Sequence, residues 1–366
     1  MAYKRYHVSN AVLKATKPKF RLSSYVYSWT FNTNTLVEEY PESVPPPLQC
    51  QFQFTPFSEL HKHAETETYQ CVRGVVIKCF PTDVISQEPD LKTKKDVIIV
   101  NEEKKPVILS LWNSIEKNEG RLLDQICETG PLIFAMRVKV TTFNGLSLST
   151  RMGSAIMINP PVTEDLQLQK WYNKNKTELK ELLQKKAYKD TEILLPYPEE
   201  KDIVPIAKAI ANFKYRKATW IRGRLRLPTQ DRSFSHTACS NCLKSVEADM
   251  NWKIKCQSCK MDSEIQVILR ATVDIDDGTA SIRVCISNPD IQKLIPFTPN
   301  AVKEAEDSGK DMHDLIAASI QTMSVVGFIR SYETTYNQQS TTRISIVKAH
   351  KVTNNASLAS TVAAET

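Results

Sequence analysis

The sequence predicts a mainly β protein with short helices, arranged as two small β-barrels in tandem, the second interrupted by a four-cysteine ribbon. Three observations lead there. Short alternating or continuous apolar runs recur between turn signals along most of the chain. Prolines outnumber glycines, 19 against 9, and gather at Pro41, Pro45, Pro46 and Pro47, at Pro160-Pro161, and at Pro196 and Pro198, where they end strands and helices. Two Cys-x2-Cys knuckles, Cys239/Cys242 and Cys256/Cys259, stand 13 residues apart inside the second strand-rich stretch.

Residues 1–45 carry two alternating runs, 6–13 and 24–31, and six Lys/Arg against two acids before residue 41. So short a piece cannot close a barrel, and it reads as the remnant of one plus a linker. Residues 46–162 hold strands at 69–80, 97–100, 107–112, 132–142 and 147–158, with a short helix at 121–128. Asn144-Gly145 is a hairpin signal between the last two strands. Five strands and one helix fit a small barrel of OB type. Residues 163–200 form a polar helical linker, with Leu166, Leu168, Trp171, Tyr172, Leu179, Leu182 and Leu183 at helical spacing and a solvated lysine run. Residues 201–350 repeat the barrel plan, with strands at 218–227, 264–274, 281–286, 325–335 and 342–347, and an amphipathic helix at 311–323. The ribbon, about 236–262, interrupts this second OB barrel. Residues 351–366 are expected to be a disordered tail.

The bulk properties limit the function. With 366 residues and 41% hydrophobic content, the chain can bury real cores. A net charge of +7 favours a polyanionic partner. There is no apolar run of ~18 residues and no apolar segment after the basic start, so neither a membrane span nor a secretory signal is expected. Cys50, Cys71, Cys79, Cys127 and Cys285 lie outside the knuckles and read as small hydrophobes in a reducing compartment. No phosphate-binding loop, nucleophile elbow or HExxH helix is present, and Asp276-Asp277-Gly278 reads as a turn, so the chain is not expected to be an enzyme.

In each knuckle the two-residue gap lets both thiolates reach one ion. Together Cys239, Cys242, Cys256 and Cys259 supply a tetrahedral set for one structural Zn2+, with no open position for water. Iron would accept the same donors. His236, three residues before Cys239, reads as a neighbour rather than a ligand.

A zinc ribbon inside an OB barrel narrows the field. The chain resembles the large subunit of replication protein A, as a truncated or diverged paralogue running from the end of the first ssDNA-binding OB domain through the second and third. The resemblance is carried by Tyr6-His7-Val8-Ser9-Asn10-Ala11 with Lys14, Phe20 and residues 27–31. Residues 107–112 and 137–149 carry it in the second domain, and the ribbon with residues 267–274 in the third. It implies sequence-tolerant single-stranded DNA binding by aromatic stacking and a basic groove, in the nucleus, in replication, repair, recombination or telomere maintenance. RNA is the weaker alternative. By the resemblance, Trp112 and Phe143 are the stacking aromatics, and Lys94, Lys95 and Lys139 lie near the DNA backbone. Strand alternation adds Arg137, which shares a face with Lys139 and Phe143, and also Lys78 and Arg151. In the third domain Tyr336 echoes Phe143, and Arg270 and Arg283 are electrostatic candidates.

Two departures support an alternative, a protein-interaction paralogue with weak or lost DNA binding. Val8 and Cys285 stand where the family has stacking aromatics. Residues 348–366 lack the apolar stripe of a trimerisation helix, so assembly with other replication protein A-like subunits is expected to be impaired.

Overall fold

The computed structural model describes residues 5–17, 21, 25–41, 53–86, 91–142, 145–160, 163–229, 233–336 and 339–352. The chain is mainly β with short helices and divides into two units, Met1–Pro196 and Tyr197–Thr366. No helix among the described residues is long and apolar enough to cross a membrane.

The first unit begins with antiparallel ladders. β1 (Tyr6–Ser9) pairs with β4 (Leu36–Glu39), and β2 (Val12–Ala15) with β3 (Tyr27–Thr30). Their apolar residues stay exposed, among them Leu13, Trp29, Phe31 and Leu36. The expected runs are strands, but they close no core.

The barrel of the first unit is built from β5 (Gln70–Val84), β6 (Thr93–Val100), β7 (Val107–Trp112), β8 (Leu132–Thr141) and β9 (Ser147–Ser149), with β10 (Ala155–Ile158) on the outside of β8. The ladder runs β5–β6–β7–β9–β8 and returns to β5. Only the β7–β9 step is parallel. A helical segment from Asn113 to Thr129 links β7 to β8. Five strands closed in this order, with a helix between the third and fourth, are the OB topology. Alternation decides the core: Val107, Leu109 and Leu111 point inward on β7, and Val138 and Val140 on β8.

The stretch 147–158, expected as one strand, is two, because residues 150–154 turn away between β9 and β10. The helix Thr163–Gln184 also differs from a free linker. Its Leu168, Tyr172 and Leu179 are buried against Val75, Leu132 and Phe134 of the barrel. Gly130 (φ +67°) makes that docking tight, since a Cβ there would lie 2.2 Å from the Tyr172 ring.

The second unit repeats the plan. β11 (Ala218–Arg226), β14 (Asp262–Asp276), β15 (Ser281–Ser287), β17 (Gln339–Lys351) and β16 (Ser324–Tyr336) close in that order, with β15–β17 parallel. Helices Asp290–Leu294, Pro299–Asp307 and His313–Ile320 sit between β15 and β16. β11 hands over from β16 to β14 at Gly223, where a Cβ would lie 2.6 Å from Ile275 Cγ2 and 2.7 Å from the Asp276 carbonyl oxygen. Only glycine lets the strands close there. The ribbon strands β12 (Ser235–Cys239) and β13 (Lys253–Lys255) both pair with the first half of β14, so the ribbon grows out of the barrel wall. A buried ion pair, Lys348 Nζ to Asp290 Oδ1 at 2.9 Å, ties β17 to the helix Asp290–Leu294.

Candidate nucleic-acid interface and metal centre

Ladder register fixes which side chains share the outer face of the first barrel. Paired residues point to the same side of a sheet. One row runs Asp83–Lys94–Trp112. The next runs Asp96–Ser110–Ser149–Lys139. A third runs Lys78–Ile98–Ile108–Ser147–Thr141. Trp112 stands on one flank of these rows and lysines at their ends, while Ile98, Ser147 and Ser149 between them are buried.

Trp112 is half-buried and does not enter the core. Its indole Nε1 donates to Ser149 Oγ at 2.9 Å, and its backbone N–H donates to Thr150 Oγ1 at 3.0 Å. Arg151 donates to the same Ser149 Oγ at 2.5 Å. Lys139 lies across the ladder from Ser149 and reaches the exposed Glu67 at 3.7 Å. A surface pair of that length contributes little, so a phosphate can displace the carboxylate.

Arg137, Lys139 and Thr141 alternate outward on β8. Arg137 lies where the β5–β8 register slips, in the left-handed region at φ +54°, and its guanidinium stands 5.4 Å from the Tyr69 ring centre. Lys78 packs over the Phe80 ring at 5.0 Å.

Lys94 and Lys95 part company. Lys94 faces outward between Asp96 at 2.8 Å and Asp83 at 3.6 Å, so its charge is largely matched. Lys95 points the other way, in the row Thr82–Lys95–Leu111, and is only 3% exposed. It donates to Asp124 at 2.6 Å and to the Phe80 carbonyl at 3.1 Å. Adjacent strand residues face opposite sides, so the two lysines cannot both reach one groove. Lys95 is therefore corrected to an internal anchor. Phe143 and Asn144 lie outside the described residues.

In the second barrel the outward positions of β15 are Ser281, Arg283, Cys285 and Ser287, with no aromatic among them. Arg270 Nε donates to Cys285 Sγ at 2.9 Å, and Arg283 forms a bidentate pair with Asp274 at 2.8 and 2.9 Å. Both candidate arginines are thus engaged within the sheet. Tyr336 ends β16, and its side chain lies outside the described residues. Sequence reasoning missed Tyr332, half-buried on β16 with the Arg330 guanidinium 4.8 Å from its ring centre. It also missed Ser149, a buried hydroxyl that accepts from both Trp112 and Arg151, because pairing across the ladder leaves no local signal.

The four cysteine sulfurs lie within 4.8 Å of one another. Cys239 Sγ is 3.8 Å from Cys259 Sγ, and Cys242 Sγ is 3.7 Å from Cys256 Sγ. A tetrahedral ion with metal–sulfur bonds of about 2.3 Å spaces its ligands about 3.8 Å apart, so the donor set is compatible with zinc. Burial raises the Cys239 thiol, but the 2.9 Å contact with Ser263 Oγ and the backbone N–H groups of Cys242 and Asn241 outweigh it and hold it at about 6. At Cys259 burial prevails and pushes the thiol up to about 12. His236 pairs with Ile268 on β14 and is not part of the sulfur cluster.

Residues 221–360 match the family model of the replication factor-A C-terminal domain. The chain is 26% identical over 85% of its length to a 70 kDa DNA-binding subunit of replication protein A from Arabidopsis thaliana, covering 53% of that protein. It is 24% identical over 95% of its length to replication factor A protein 1 of Saccharomyces cerevisiae, covering 56% of it. The chain is thus similar to the large subunit of replication protein A over most of its own length. It spans about half the length of the curated relatives it matches. Among solved structures, a replication protein A heterotrimer bound to ssDNA aligns over 95% of this chain and 80% of its own, at 19% identity and a TM-score of 0.37. Yeast RPA bound to ssDNA aligns over 44% of this chain and 92% of its own, at 21% identity and a TM-score of 0.34. The relatives' names describe a DNA-binding subunit.

Proposed function

We propose that the protein binds single-stranded DNA, without strong sequence preference, across the outer face of its first barrel. It would act in the nucleus, in replication and the repair and recombination that share its substrate. The observation that carries this is the arrangement of Trp112, Lys139 and Arg151 around Ser149. An aromatic ring flanked by cations offers one face for stacking and donors for the backbone. The names of the relatives support the same reading. In this reading Phe143 is the second stacking residue, and Lys139, Arg137, Arg151 and Lys78 meet phosphates, with Lys94 a minor contributor. The second barrel contributes less, through Tyr336; Arg270 and Arg283 are held within its sheet and add no phosphate contact. One structural Zn2+ on Cys239, Cys242, Cys256 and Cys259 would hold the ribbon to β14. Other replication protein A-like subunits are candidate protein partners, although residues 348–366 lack the apolar stripe a trimerisation helix needs.

The test is a fluorescence-anisotropy titration of a ~30-nucleotide oligo-dT with the intact chain, at two salt concentrations, beside Trp112→Ala/Phe143→Ala. Binding that weakens with salt, and at least about tenfold in the double variant, is expected. A folded, zinc-loaded chain that does not bind oligo-dT even at low salt would sink the proposal.

A further inference from the structure

The second barrel carries a basic stripe that the DNA-binding proposal does not use. On β11, Arg222, Arg224 and Arg226 alternate outward while Ile221, Gly223 and Leu225 face in. They line a surface groove of about 1160 Å³. Ile203, Val204 and Ala317 supply apolar parts of its wall. Arg222 is held by Glu200 in a bidentate pair at 2.6 and 2.7 Å. Arg224 and Arg226 are exposed, and among the described residues neither side chain has an ion pair or hydrogen bond.

The acids of the groove are already occupied. Asp277 accepts from the backbone N–H of Ile206 at 2.8 Å and of Thr279 at 2.9 Å. Asp276 accepts from Gly278 N–H at 2.8 Å. The groove therefore holds two empty guanidinium forks beside a third whose occupant is a carboxylate. Glu200 shows within this chain how a carboxylate docks there.

Nucleic acid fits this groove poorly. No aromatic residue lines it, so bases have no platform. Its three arginines and three carboxylates leave the groove with no net charge, so no long-range field draws a phosphate chain. Recognition has to be short-range and directional, which suits carboxylates. Alternate residues of a strand stand about 6.8 Å apart, and an extended peptide has the same repeat. We propose that this groove binds an extended acidic peptide segment of a partner protein. Carboxylates two residues apart engage Arg224 and Arg226, and the apolar residues between them meet Ile203, Val204 and Ala317.

The probe is a fluorescein-labelled peptide of ~15 residues with Asp and Glu interleaved with Leu and Phe, titrated against the intact zinc-loaded chain. The wild type is expected to bind, and Arg224→Gln/Arg226→Gln to bind at least about tenfold more weakly. Arg224→Lys/Arg226→Lys keeps the charge but loses the fork, and is expected to weaken binding severalfold. Oligo-dT affinity should be unchanged in both. No peptide binding by the wild type, or equal binding by both variants, overturns the proposal. A variant that loses oligo-dT instead makes the groove a nucleic-acid track, which also overturns it. Should the glutamine variant fail to fold, hydrogen exchange on the wild type decides. Peptide-induced protection within 200–205 and 222–226 supports the groove, and its absence there overturns it.

Discussion

Leu111 and Trp112 are neighbours that face opposite ways, and so are Lys94 and Lys95. In each pair one member is buried and the other meets the outer face, because side chains alternate along a strand. The sequence alone contained this: a strand through 94–100 can present only one of the two lysines. Consequences follow at single positions. Trp112→Ala is expected to weaken oligo-dT binding by about 1–3 kcal/mol, the value of one stacked base. Its cost to stability should be no more than about 1 kcal/mol, the size of one hydrogen bond. Anisotropy and thermal melting read the two separately. Lys95→Ala should do the reverse. It strands Asp124, about half exposed, and the Phe80 carbonyl, so stability should fall by about 1–3 kcal/mol in denaturant titration while the folded protein binds oligo-dT as before. A Lys95→Ala protein that is fully stable but binds weakly would return that lysine to the groove. Arg137 was legible by the same alternation, since it faces outward with Lys139 and Thr141. What was not legible is its left-handed backbone at the register slip between β5 and β8, a property of two strands together.

Elements depend on contacts that span long stretches of sequence. Glu103, in the β6–β7 connection, caps the turn of helix Phe57–His63. Its carboxylate accepts from Phe57 N–H at 2.6 Å and Ser58 N–H at 2.8 Å. Burial alone would raise its pKa, but those bonds, with Ser58 and Asn101 contributing, outweigh it and hold the carboxyl below its ordinary value. A depressed folded pKa contributes stability that is present above the unfolded value and lost as pH falls through the folded one. Glu103→Gln should therefore lower stability at neutral pH. The gap from wild type should narrow under acid as the wild-type carboxyl protonates, which melting curves across pH will show. The helix Thr163–Gln184 depends in the same way on Gly130. Gly130→Ala adds left-handed strain of about 1–2 kcal/mol. Its methyl group also meets the Tyr172 ring. Pairing it with Tyr172→Ala should relieve part of the loss, so the two costs should not add. Helical periodicity predicted this helix but not its docking, because the sequence does not reveal which surface an amphipathic helix will find. The ribbon was the most legible element, since knuckle spacing is local. Its strands were missed because three residues of β13 give no periodic signal.

Across the whole molecule, one ladder order recurs in two barrels with different outer chemistry. The first presents Trp112 with Arg137, Lys139 and Arg151. The second presents Arg270 bonded to Cys285 and Arg283 bonded to Asp274. The tandem plan was legible because strand runs, turns and one helix recur in the same order. The difference in outer chemistry was only half legible. The sequence displays Cys285 where an aromatic is expected, but not that its neighbouring arginines are already bonded. A net charge of +7 says little about where the ligand binds; the number of cations on one face that no close carboxylate matches says more. On the first barrel these are Lys78, Arg137, Lys139 and Arg151, with Lys94 largely matched by its two aspartates. Each single-strand phosphate contact contributes about −0.7 to the slope of log affinity against log salt, so four contacts predict a slope near −3 and an affinity loss of about 50-fold between 50 and 200 mM salt. Lys139→Ala should flatten the slope by about 0.7. Arg270→Ala/Arg283→Ala should leave it unchanged, because those guanidiniums would have to abandon Cys285 and Asp274 before meeting a phosphate. If that double variant instead flattens the slope as much as two contacts would, the strand crosses both barrels. The bonds within the second sheet would then be the resting state of a site that opens for DNA.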